Sequence, residues 1–155
     1  MTATQRTPRI AAFVLLVCAL ASAVVPLLPA AEELPVWKHH LVHGLVLALA
    51  AGAGLLFAHV RRPAGTRREF GAAGWVIITV LMPVLSMFLM WPTTYDWLEQ
   101  HPLAHSMEHL VFVALGFLAT YGGEEYMPGV GWVSGIATVL TAIAAAGGFG
   151  VGWGS

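Results

Sequence analysis

Between Ile10 and Leu28 the chain carries no charged residue, and four further apolar stretches of similar length follow it, separated by short polar connections. A helix of about 20 apolar residues crosses the hydrocarbon of a bilayer, and inside lipid only helices or closed barrels satisfy the backbone's own donors and acceptors. The predicted fold class is therefore all-α, a polytopic membrane bundle with five transmembrane helices at about 10–28, 36–60, 72–91, 102–121 and 130–150. Hydrophobic residues make up 58% of the chain and charged residues only 10%, with a mean hydropathy of +0.78, outside the range of soluble domains. At 155 residues, a single integral membrane domain covering 1–155 leaves no room for a soluble domain of ordinary size. The basic start before Ile10 and the small residues after it also resemble a signal peptide. The run is longer than such a core, so a first span is preferred, with cleavage the alternative.

Composition also removes several classes of function. A formal net charge of -1 provides no polybasic patch, so nucleic acid is not an expected partner. The single cysteine, Cys18, rules out an intramolecular disulfide and any CxxC motif. No nucleophile motif or nucleotide-binding loop is present, which points to a binding or assembly protein more than to an enzyme.

Every basic residue except Lys38 falls on one side of the predicted bundle: Arg6 and Arg9 precede the first span, and Arg61, Arg62, Arg67 and Arg68 lie between the second and third. The positive-inside rule then places the N-terminus in the cytoplasm of a cytoplasmic (inner) membrane. Spans two and four both start from the outer face. Trp37, Trp91 and Trp97 fall at the outer boundary and Trp75 near the inner one, as an aromatic belt does.

What this class does not account for is a set of histidines at the start of spans two and four. His101, His105 and His109 follow one another at steps of four, each step advancing ~40° around a helix, so they form a slowly turning stripe, with Glu108 on the same side. Imidazoles and a carboxylate entering lipid are unfavourable unless paired, solvated or bound to something. The second span opens with His39, His40 and His43, and His39/His43 relates to His105/His109 by a constant offset of 66. A parallel repeat of helix pairs fits that offset. Shared direction brings both groups to one membrane level at the outer face, where Met87 and Met90 of span three also arrive.

Two histidines four apart on a helix can converge on one ion. Imidazole suits copper, zinc and iron, and thioether sulfur favours Cu(I) over zinc, so a mixed site points to copper first, with zinc an alternative. The candidate ligands are His39, His43, His105 and His109, with Glu108, Met87 and Met90 beside them. His40 and His101 join the candidates but read equally well as helix caps. Asp96 and Glu99 are candidate acceptors holding histidine tautomers. His59, beside Arg61 and Arg62, reads as an interfacial residue. Haem b held between two spans is the rival cofactor, with Gly44 or Gly116 making space, in an electron-transfer subunit of an oxidoreductase. A proton relay within a partner complex is a third reading. The lipid bilayer is the first partner. Gly131 and Gly135 on the last span suit either a contact with a second copy or a respiratory-complex subunit, or ordinary packing within the chain.

The stretch HPLAHSMEHLVFVALGFLATY, His101 to Tyr121, resembles the later histidine helix of the caa3-type cytochrome c oxidase assembly factor family (CtaG-like membrane proteins), and WKHHLVHGLVLALA resembles its earlier one. The resemblance implies a polytopic membrane protein that handles copper on the outer side for insertion into a haem-copper oxidase. His39 and His43 would correspond to the earlier pair, and His105, Glu108 and His109 to the later cluster.

Overall fold

The computed structural model describes residues 3–24, 35–61 and 72–147, and over these the chain is helical with short breaks. Six helices follow in order: α1 (Ala3–Val24), α2 (Val36–Arg61), α3 (Ala72–Leu89), α4 (Pro92–Glu99), α5 (Pro102–Tyr126) and α6 (Val130–Ala146). The connection around Glu32 and Glu33, the loop arginines Arg62, Arg67 and Arg68, and the last residues expected in the first and fifth spans lie outside the described residues.

By length and composition α1, α2 and α5 are apolar enough to cross a membrane. α3 and α4 together make a fourth candidate, bent by 66° at the break between them, and α6 is a shorter apolar helix. Large apolar side chains such as Phe13, Val80, Phe88, Val133 and Ile136 are exposed along α1, α3 and α6, as a surface solvated by lipid allows.

Two expected boundaries are corrected. Residues 92–100, read as a connection, hold α4, which Pro92 opens as a first-turn residue needing no helical donor, with Tyr95 and Leu98 buried on one face. The fourth span, expected to end at about residue 121, runs on, and α5 continues to Tyr126. Gly122 and Gly123 are packing positions: a Cβ on the first would strike the ring of Trp75, and one on the second would come within 2.7 Å of the Gly131 backbone. The turn follows at Gly129, whose φ of 90° lies in the left-handed region that glycine enters without penalty.

The centre of the molecule is the pair α2 and α5, which run parallel and in register. Residues related by an offset of 66 meet along their length: His39 with His105 at the start, Ala50 with Gly116 in the middle, and Gly54 with Thr120 further on. The Thr120 hydroxyl donates to the Ala51 carbonyl across the pair, at 2.9 Å. α3 and α6 form a second parallel pair in constant register, with Ser86 beside Thr141 (3.1 Å) and Ser134 donating to the Thr79 carbonyl (2.7 Å). The apolar core, including Val46, Leu47, Phe112 and Leu115, fills the space below the histidines.

Candidate metal centre

α2 and α5 both begin with an HxxxH pair, and parallel register turns the two pairs towards each other. The Nε2 atom of His39 lies 3.1 Å from that of His105 and 3.3 Å from that of His109. His43 completes the group: one nitrogen from each of the four imidazoles falls within 4.8 Å of all the others. An ion bound by nitrogens at 2.0–2.1 Å in a tetrahedron sets neighbouring nitrogens roughly 3.3–3.4 Å apart. The two shortest separations are close to that edge length, so these four histidines form a cluster that could hold a metal ion.

Hydrogen bonding alone leaves the cluster incomplete. Both ring nitrogens of His43, Nδ1 of His109 and both carboxylate oxygens of Glu108 are buried and make no hydrogen bond. Buried polar groups are nearly always satisfied, so such a concentration calls for a ligand that accepts several lone pairs at once. His39 is in the same position: a single Nε2 faces two other Nε2 atoms and can share a proton with only one of them at a time. His39, His43 and His109 are buried, and His105 is the partly exposed member through which the cluster meets the surroundings.

The other predicted residues divide. Glu108 is buried on α5, its Oε2 3.9 Å from His105 Nε2. His40 is fully buried beside the cluster, its ring 5.7 Å from that of His43 and 4.7 Å from Tyr95. His101 is exposed before the first turn of α5, stacked on Trp97 at 4.1 Å with Nδ1 2.7 Å from the Trp97 carbonyl. Met90 is buried among the apolar core residues, whereas Met87 is 40% exposed on the outside of α3. Met107 is 52% exposed, and the donor atoms that converge in the cluster are imidazole nitrogens, with one carboxylate nearby.

Tyr95 is the residue that sequence reasoning passed over. Its buried ring stands 5.7 Å from His39 and 6.0 Å from His105, so α4 covers the start of the α2/α5 pair. The available signal was local: Pro92 opening a helix, then Tyr95 and Leu98 three apart on one face.

A haem between α2 and α5 would need a flat slot at this level. The two glycines expected to supply it are already filled, since a Cβ on Gly44 would touch Ala142 at 3.3 Å and one on Gly116 would meet the Leu47 carbonyl at 2.7 Å. Phe112 packs against His43 at 4.6 Å between ring centroids, closing the same space. Comparison with protein-family models, curated proteins and solved structures gives no match for this chain.

Proposed function

We propose that this is a membrane metal-binding protein that holds one transition-metal ion between α2 and α5, through His39, His43, His105 and His109. The observation that carries this reading is the convergence of four imidazole nitrogens in a buried cluster with unsatisfied polar atoms around it. A binding or transfer role is favoured over catalysis, because four protein ligands close a tetrahedral site whereas catalytic sites keep a position open.

Copper is the first candidate, since affinity for a nitrogen site rises along the first row to Cu(II) before falling at zinc. The resemblance of both histidine stretches to the caa3-type oxidase assembly factors supports the same ion and adds a destination, a haem-copper oxidase in the same membrane. Zinc is the second candidate, because imidazole suits zinc as well and the exposed positions of Met87 and Met107 leave Met90 as the one buried thioether behind the argument for Cu(I). In this reading α1, α2, the bent α3/α4 unit, α5 and α6 make five crossings of an inner membrane with the cluster towards the outer face, an orientation that the arginine distribution supports.

The test is elemental analysis of the full-length protein, purified without chelator, together with its visible spectrum. One copper or zinc per chain and no Soret band is the expected result. Iron with a Soret band, or no metal at stoichiometric level after supplementation with copper and zinc, would overturn it.

A further inference from the structure

Glu108 stands out among the groups around the cluster because it is a buried carboxylate, 2% exposed, and neither of its oxygens makes a hydrogen bond. Among the described residues the other buried carboxylate, Glu124, lies at the far end of α5, where it accepts a hydrogen bond from the Gly129 amide at 3.0 Å. The basic residue at this end, Lys38, is exposed, with its ammonium over the ring of Trp37 at 5.4 Å. The Nε2 of His105 lies 3.9 Å from Oε2 of Glu108, and it is the same nitrogen that faces His39 within the cluster. An ion held by His105 therefore comes within a few ångströms of this carboxylate.

We infer that Glu108 is the counter-charge that makes the four-histidine site a site for a divalent cation in preference to a monovalent one. The inference rests on the metal-binding reading above. Four neutral imidazoles bring donor atoms but no net charge. Taking an ion out of water costs more as the square of its charge, so an all-imidazole pocket in an apolar bundle penalises a divalent ion most. A fixed negative charge nearby returns energy in proportion to the charge of the ion, which shifts the balance towards the divalent ion. The α2 position equivalent to Glu108 is Val42, so the carboxylate occurs on one side of the cluster only. Asp96 and Glu99 on α4 are also acidic, but both are exposed, where water and salt screen them.

The experiment compares Zn(II) and Ag(I), two filled-shell ions without redox chemistry here, in competition titrations of the full-length protein in lipid nanodiscs. At ~5 Å and an effective dielectric constant of about 20, one unit of ion charge is worth about a hundredfold in affinity. Glu108→Gln is expected to weaken Zn(II) binding about a hundredfold more than Ag(I) binding. Glu108→Asp retains most of the wild-type preference, and Glu99→Gln leaves it within a few-fold. Equal losses for the two ions in Glu108→Gln, or the same shift from Glu99→Gln, would overturn the inference while leaving the metal site standing. A wild-type protein that binds neither ion overturns the metal reading itself. Glu108→Met serves as the uncharged variant if Glu108→Gln does not fold.

Discussion

α2 and α5 present the same histidine pair in the same register, yet the residues around each pair are different. His39 and His43 on α2 are accompanied by His40, whereas His105 and His109 on α5 are accompanied by Glu108. Further along, Gly54 of α2 makes room for Thr120 at the equivalent position of α5, whose hydroxyl ties the two helices together. The ligands are thus near-symmetric and their surroundings are not. Symmetry in the ligands follows from two parallel helices in constant register, which bring equivalent residues together. Asymmetry in the surroundings supplies what a repeat alone does not, namely a buried charge on one side and an interhelical hydrogen bond directed one way.

Breaking the ligand symmetry has the largest expected effect. His39→Ala and His105→Ala remove equivalent nitrogens, and each should lower metal affinity by at least about a hundredfold, given that four ligands share an apparent binding free energy of about 10–16 kcal/mol in structural zinc sites. Competition titration against a chelator checks both, and a large loss in one with none in the other would end the description of the two pairs as equivalent. Next comes the register itself. Gly116→Val places side-chain atoms against the Leu47 carbonyl, where the backbone has little freedom to yield, and should cost about 1–3 kcal/mol of stability. Thermal unfolding in nanodiscs measures the cost, and metal content should fall with it because the shift separates the two histidine pairs. Gly74→Ala, at a helix position with nothing within 4 Å of a new Cβ, is the matching control and should leave both quantities unchanged.

Smaller effects sharpen the boundary of the site. His101→Ala removes an exposed ring stacked on Trp97, and His59→Ala a histidine on the other end of α2; each should change affinity by less than about threefold. Met87→Leu should be equally silent, since Met87 is exposed on α3. A tenfold loss from Met87→Leu would show that thioether sulfur reaches the ion.

The histidine pairs were legible in the sequence because the offset between them and the direction of their helices are both properties of the linear pattern. So was the helical character of the long apolar runs. α4 was not legible as a helix, because eight residues of mixed polarity, with Trp97 among them, read as a connection, and what buries Tyr95 and Leu98 is contact with neighbouring helices. The end of α5 was misread for a different reason. Gly122 and Gly123 signal a break in water, but between packed helices they are the residues that allow Trp75 and Gly131 to approach. Gly131 and Gly135, which the sequence left open between a partner contact and ordinary packing within the chain, pack against α5 around Thr120 and Glu124. The direction of the methionine side chains depends on how α3 is rotated in the bundle, which spacing along one helix does not report.

X-ray absorption spectroscopy of the metal-loaded protein tests the central claim most directly, because it counts donor atoms and distinguishes imidazole from sulfur and from a macrocycle. The expected spectrum has about four nitrogen scatterers near 2.0–2.1 Å with the outer-shell pattern of imidazole and no sulfur, and a lower imidazole count in His109→Ala. A sulfur scatterer in the first shell, a porphyrin pattern, or an imidazole count unchanged by His109→Ala would contradict it.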